Sequence, residues 1–318
     1  MRSHLSLIRR ALAGVVLFAS ALLTPGAEVS PTGTYRDPAL PVGQRVQDLL
    51  ARMDRREKIG QLNQKLYGWE CYRREGDKIE LTKTLEDEIK HWRGLGAVYG
   101  LLRADPWSNV TWESGIPPER RVELTNRVQR LVLQHSRWGI PALFSTEASH
   151  GYFALGGTIL PTAIGLGSTW NPALYQAAVR AMVGEIRRSG EHIVMVSCLD
   201  VARDPRWGRT EECFSEDPLL VAAMARAATI GVQGEHRAEL LRPDRAVVNL
   251  KHLAGQGASA GGHNAGAAVI GEREFREIHL PPVVAGIKAG GLSFMSAYNE
   301  IDGIPCCASR ELLTGILR

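Results

Sequence analysis

Aromatic side chains are scarce in this chain, at 6% of 318 residues, and the net charge is only +4. The arginines are dispersed rather than gathered in one basic stripe, which argues against a nucleic-acid partner. Cysteine is scarce too. Cys71, Cys198, Cys213, Cys306 and Cys307 follow no metal spacing, and an odd count cannot form a fully paired disulfide framework. A bond between the adjacent Cys306 and Cys307 would be strained, and Cys198, inside an apolar run, reads as a buried small hydrophobe. His150, His252 and His263 with Glu147 lack the close paired spacing of a zinc motif, so neither metal nor cofactor is expected. No G-x-G-x-x-G turn follows an early strand, which removes the support for a dinucleotide fold. The sequence is read as carrying no G-x-S-x-G elbow, so a Ser-His-Asp site is not expected either.

Long apolar runs are missing but for one, Ala11 to Leu23. Arg2, Arg9 and Arg10 precede it and the small residues Gly26 and Ala27 follow, the order of a secretory signal. The run is short for a membrane span, although an N-terminal anchor is the competing reading. Residues 1–27 therefore read as a signal peptide, 28–41 as a Pro/Gly/Thr linker, and 42–318 as the folded domain of a secreted or periplasmic protein. No membrane span is expected once the signal is removed.

What remains is an alternation. Strand-like runs occur at Gly96–Leu102, Ile140–Ser145, His192–Cys198, Ala246–Leu250 and Leu292–Ala297. Between them lie helical patterns at about Glu119–Arg137, Pro172–Ser189, Asp217–Gln233 and Glu272–Ala289. One helix, Val42–Leu62, precedes the series and another, Ser309–Leu317, closes it. Short apolar strands joined by long helical connections imply a parallel sheet in an α/β fold, either a (β/α) TIM-type barrel or a doubly wound sheet. A closed barrel takes eight strands, so five imply one that is incomplete at its C-terminus.

The richest polar segment is Val201–Pro218, VARDPRWGRTEECFSEDP, at the exit of the third strand. Its Trp207, beside Arg203, Arg206 and Arg209 and the acids Asp204, Glu211, Glu212, Glu216 and Asp217, suits a sugar. An indole face stacks on the ring while charged groups bond the hydroxyls. A salt-bridged surface loop is the bland alternative. Every other strand also ends in polar or aromatic residues: Arg103, Asp105 and Trp107; Glu147 and His150; Lys251 and His252; Tyr298, Asn299 and Glu300. Barrel enzymes place their chemistry at these ends. Glu147 is a site residue or a helix cap, and Arg203 reaches a ligand or pins its loop through Asp204. Lys251 and His252 reach one site only if the backbone turns between them. His263 lies in a Gly-rich loop, and Met295 packs with one edge on the site.

RDPRWGR with SEDP (Arg203–Arg209, Ser215–Pro218), KHLAGQG (Lys251–Gly257), EREFREIHLPP (Glu272–Pro282) and MSAYNEIDGIPCCAS (Met295–Ser309) closely resemble glycoside hydrolase family 3. TEASHG (Thr146–Gly151), GGTILPTAIGLGSTWNP (Gly156–Pro172) and ALPVGQRVQDLLARMDRREKIGQL (Ala39–Leu62) do so too, in the family's order. The resemblance implies a barrel domain that holds the terminal sugar of a β-glucoside or β-xyloside, with a β-linked oligosaccharide or glycoside as partner and no implied oligomer. It maps substrate contacts onto Glu147 (often Asp in relatives), Arg203, Lys251, His252 and Tyr298, with Met295 at the pocket wall. His263 falls where relatives often carry arginine, and Asp105 is a further candidate. Members of the family are retaining enzymes with an Asp nucleophile and a second carboxylate as acid and base. Both are expected beyond Arg318, so the chain alone is expected to show little or no turnover. A non-catalytic sugar-binding remnant and transfer to phosphate are the alternatives. A third is the N-acetylglucosaminidase branch, against which Ala254 and Gln256 stand where that branch has proline and histidine.

Overall fold

The structure, a computed structural model, describes residues 34–196 and 199–318. Two compact units divide between Met53 and Asp54. The expected signal peptide and Cys198 lie outside the described residues.

In the first unit, helix α1 (Val42–Arg52) is held to a 3₁₀ turn at Thr34–Arg36, where the Tyr35 N–H donates to Asp48 Oδ2 at 3.0 Å. The single helix expected over 42–62 is in fact two. Met53 leaves α1 in extended conformation, and Asp54 starts α2 (Arg55–Gly60) afresh with a reciprocal capping box. The Asp54 carboxylate accepts from the Glu57 N–H, and the Glu57 carboxylate accepts from the Asp54 N–H, each at 2.9 Å. A cap of this kind is worth about 1 kcal/mol. Asp54→Ala should lower stability in urea by about that amount; an unchanged midpoint would show that the cap is idle.

In the second unit, five parallel strands run side by side in the order β3 (Ala97–Tyr99), β4 (Leu143–Glu147), β5 (Ile193–Met195), β6 (Val247–Leu253) and β8 (Ser293–Ser296). All five coincide with expected strands, and helices connect them. These are α4 (Arg121–His135), then α5 (Ala163–Gly167) with α6 (Pro172–Arg188), then α7 (Pro218–Gln233). The last connection runs from α8 (Glu272–Glu274) through a π-helical stretch into α9 (Leu280–Lys288). Asn171 and Asp217 cap α6 and α7 with their side chains, and a proline opens each helix. This is the β/α repeat of a TIM-type barrel, with five of its eight strands among the described residues.

Burial explains the composition of these elements. Strands covered on both faces read as apolar runs, and Phe144, Val194, Val248 and Leu250 are almost fully buried. Helix α7 packs against α6 on one side and α9 on the other, and its alanines and Met224 are largely inside. Two small sheets were not legible in the sequence. One is the hairpin β1 (Tyr72–Glu75) with β2 (Lys78–Leu81). The other joins β7 (Ala267–Ala268), β9 (Glu300–Ile301) and β10 (Ile304–Pro305). The hairpin strands alternate charges with few apolar residues, and the others are only two residues long, too short to show a period.

Candidate functional site

Parallel strands in register put their last residues at one edge. Tyr99 ends β3, Glu147 ends β4, and Lys251 near the end of β6 pairs with Met295 of β8. Successive strand residues normally point to opposite faces, but the β6–β8 register shifts between Lys251 and Leu253. Lys251 and His252 are consequently both buried and both engaged with strand-end carboxylates.

The core of the site is a chain of alternating charges. Arg103 Nη2 lies 2.6 Å from Asp105 Oδ2, and Arg103 Nη1 lies 3.7 Å from Glu147 Oε2. Glu147 Oε1 pairs directly with Lys251 Nζ, and the Tyr99 hydroxyl donates to Glu147 Oε2 at 3.0 Å. Lys251 Nζ reaches Glu212 Oε2 at 3.0 Å, and Arg209 closes the row with bonds of 2.7 and 2.8 Å to the two Glu212 oxygens. Burial works against the ammonium of Lys251, but Glu147 and then Glu212 outweigh it and hold the pKa above the ordinary lysine value. Burial likewise opposes the Glu212 anion, yet the Arg209 hydrogen bonds and the charges of Lys251 and Arg209 bring its pKa down to about 2. Lys251 and Glu212 are thereby held in their charged forms at neutral pH.

His252 belongs to a second cluster. Its Nδ1 lies 2.7 Å from Asp200 Oδ2, with both side chains fully buried. Asp200 also accepts backbone N–H groups from His252 at 3.3 Å, Gln256 at 2.9 Å and Gly257 at 3.4 Å. One carboxylate thus sets both the imidazole and the following loop. His252 Nε2 is buried with no hydrogen-bond partner, and the ring lies 5.8 Å from that of the half-exposed Tyr298. Gln256 accepts the Tyr298 N–H at 3.1 Å, tying that loop to the end of β8.

The structure therefore joins Glu147 and Lys251 directly, and brings Asp105 to Glu147 through Arg103. Met295 stands beside Lys251, and Tyr298 beside His252. Arg203 is directed elsewhere, with Nη2 3.6 Å from Glu274 Oε1. The alternative of a pin between Arg203 and Asp204 does not form, because Asp204 pairs with Arg206 at 2.7 Å. His263 sits exposed in its glycine loop against Gly261 and Gly266.

Two expectations fail. Trp207 offers no face to a sugar: it is 2% exposed, packs with Cys213 and donates its Nε1 to Asn264 at 3.1 Å. A tryptophan in a polar loop looked exposed, but the loop folds over it. A G-x-S-x-G string does occur, at Gly257–Gly261, yet Ser259 is 1% exposed and its hydroxyl donates to the Gln256 carbonyl at 3.0 Å. That serine is a loop staple rather than a nucleophile. The sequence reading passed over Tyr99, and it placed Arg209, Glu212 and Asp200 among the polar residues at the third strand's exit without singling them out as site residues. A signal existed for Arg209 and Glu212, since they stand three apart within one helical turn. Cys71, Cys213, Cys306 and Cys307 are free thiols.

The model of the glycosyl hydrolase family 3 N-terminal domain matches residues 55–318. The chain belongs to glycoside hydrolase family 3. A putative β-xylosidase of Formosa agariphila is 31% identical over 288 residues, covering 89% of this chain and 36% of the relative. A periplasmic β-glucosidase of Salmonella typhimurium is 30% identical over 192 residues, covering 60% of this chain and 24% of that protein. Among solved structures, a β-glucosidase from Erythrobacter marinus superposes with a TM-score of 0.77 at 32% identity, covering 91% of this chain and 36% of the other. This family 3 chain thus spans between about a quarter and about a third of the length of these relatives.

Proposed function

We propose that this family 3 domain holds the non-reducing terminal sugar of a β-glucoside or β-xyloside, as the sugar-binding part of a retaining β-glycosidase. The observation that carries the reading is the meeting of Glu147 with Lys251 at the strand ends, beside the unpartnered Nε2 of His252. Glu147 would accept from two hydroxyls, Lys251 would donate, His252 Nε2 would take one more bond, and Tyr298 and Met295 would wall the ring, while Arg203 would have to leave Glu274 to add a further donor. Asp105 acts through Arg103 by orienting it, and His263 stands at the rim. Each carboxylate described at the site is already committed to a cation or an imidazole, which suits holding a substrate rather than attacking one.

The order of charges and apolar residues in 1–27 supports export through a signal peptide, with 28–41 as linker and 42–318 as the sugar-binding domain. The periplasmic β-glucosidase among the relatives is in keeping with this. The relatives compared are β-xylosidases and β-glucosidases, which favours that branch over N-acetylglucosaminidases.

The test is a calorimetric titration of the chain with methyl β-xyloside and methyl β-glucoside, with the α-anomers as controls. Saturable binding of a β-anomer, lost in His252→Ala, is the expected outcome. Absence of binding by either β-anomer would overturn the reading.

A further inference from the structure

His279 is a buried side chain for which the sugar pocket has no use. It is 2% exposed, and neither Nδ1 nor Nε2 has a hydrogen-bond partner. A buried imidazole ordinarily satisfies at least one nitrogen, so a ring with neither satisfied calls for a physical reason.

The turn that carries His279 sets its place. Pro281 and Pro282 come two and three residues later and bring no N–H to the helix, and the Leu280 N–H reaches back five residues to the Phe275 carbonyl. This widened π-helical turn, Phe275–His279, buries Phe275 and His279 together. The imidazole lies under Gly255, where a Cβ would stand 3.8 Å from its Cγ, in the loop that follows His252.

Two basic groups face one oxygen. Arg203 Nη2 lies 3.6 Å from Glu274 Oε1, and His279 Nε2 lies 3.9 Å from the same atom. Both distances exceed hydrogen-bond length, so neither group holds that oxygen firmly. The Arg203 side chain is 43% exposed and lines an open groove with Trp170 and Glu216, so its guanidinium is not locked in place. A third charge acts on the ring from Asp200, the carboxylate that also holds His252 Nδ1 at 2.7 Å. Burial holds the His279 pKa below its usual value, Asp200 and Glu274 draw it up, and Arg203 presses it down. A neutral imidazole therefore suits the state in which Arg203 is paired with Glu274, and an imidazolium suits the state in which Arg203 has left.

We propose that His279 is a positioning residue that changes places with Arg203 at Glu274. When Arg203 swings to a sugar hydroxyl, His279 gains a proton and its Nε2–H closes on Glu274 Oε1. The carboxylate keeps a cation throughout, and sugar binding draws a proton from the buffer. The N–H bond that forms is matched by the bond that the buffer acid gives up, and the Glu274 side chain, 39% exposed, connects the ring with water. The inference rests on the reading of the pocket given above and adds the means by which Arg203 is released to it. The titration midpoint of His279 is then lower in the free chain than with sugar bound. Affinity is gained as pH falls through the upper midpoint and levels off below the lower one.

Calorimetry of the full chain with methyl β-xyloside and methyl β-glucoside at pH 6, in buffers of different ionisation heat, counts the protons taken up. Uptake of about half a proton is expected in the native chain and none in His279→Gln. Affinity in the native chain should be about threefold tighter at pH 5.5 than at pH 7.5, and nearly level in the variant. An imidazole NMR titration gives a second readout, with the His279 signal identified by its loss in His279→Gln. Arg203→Gln should raise the His279 midpoint without any sugar, and a saturating glycoside should raise it in the native chain. A melting curve confirms that the variants are folded, and His279→Phe replaces the glutamine variant if that one is not. Binding without proton uptake, or uptake that persists in His279→Gln and so belongs to His252, overturns the exchange and leaves the pocket standing. An unmoved His279 midpoint in Arg203→Gln overturns it whether or not a sugar binds. No binding of either glycoside overturns the pocket and the exchange together.

Discussion

Lys251→Ala should lower the unfolding free energy at pH 7 by about 3–5 kcal/mol, the range for breaking a buried ion pair from one side. Lys251 is 3% exposed and lies between two carboxylates that are themselves nearly buried, Glu147 and Glu212. Removing the ammonium leaves these two anions facing each other. Arg103 and Tyr99 still serve Glu147, and Arg209 still serves Glu212, which keeps the loss towards the lower end. The variant also carries a pH signature. Its orphaned carboxylates are desolvated beside a like charge, so their folded pKa values rise and the folded state gains protons as pH falls. The deficit against the native chain should shrink between pH 7 and pH 4.5. Urea unfolding at the two pH values measures this, and a deficit under about 1 kcal/mol at pH 7 would show that the charge row is not coupled. Glu212→Gln added to Lys251→Met should recover part of the loss, because an apolar replacement with one anion removed leaves less unpaired charge.

Glu191 and His192 should show opposite pH dependences that nearly cancel in the native chain. Glu191 is fully buried; its Oε2 accepts from the Tyr152 hydroxyl at 2.6 Å while Oε1 has no partner. Burial pushes its pKa from 4.5 up to about 7, with the Tyr152 hydrogen bond only partly opposing. A raised folded pKa stabilises below the unfolded value and loses that contribution as pH rises through the folded one. Glu191 alone would therefore weaken the fold between pH 4.5 and 7. His192 is neutral, its Nδ1 accepting the Phe144 N–H at 3.0 Å. Burial, then the nearby Arg187 charge, brings its pKa from 6.5 down to about 4. Its contribution is present above pH 6.5 and lost as pH falls through 4. At 1.36 kcal/mol per unit, each shift amounts to about 3 kcal/mol. Glu191→Gln should uncover stability that climbs with pH from 4 to 6.5, and His192→Gln stability that declines from 4.5 to 7. Thermal melts across that range decide it. Parallel curves for the native chain and both variants would dismiss the pair.

How far the sequence could be read follows from what kind of information each feature needs. The five strands and their helices were legible because burial on two faces writes an apolar run and helical packing writes a period. Polar residues at strand ends pointed to one edge, and Glu147 and Lys251 do meet there across 104 positions of sequence. What a string cannot display is which cation a given anion chooses. Arg203 went to Glu274, Asp204 to Arg206, and Arg103 to both Asp105 and Glu147, choices made by loop geometry. Trp207 misled because loop aromatics look available, whereas the fold closed over it and left Tyr67 and Trp107 in water instead.

The row from Asp105 to Arg209 has a consequence beyond stability. Three carboxylates and three cations alternate along it, so the row itself presents no excess of either sign to a ligand. For an uncharged glycoside, the ligand proposed above, the encounter should then depend little on added electrolyte. A uronate or a phosphorylated sugar, in contrast, would bring a charge with no counterpart waiting for it.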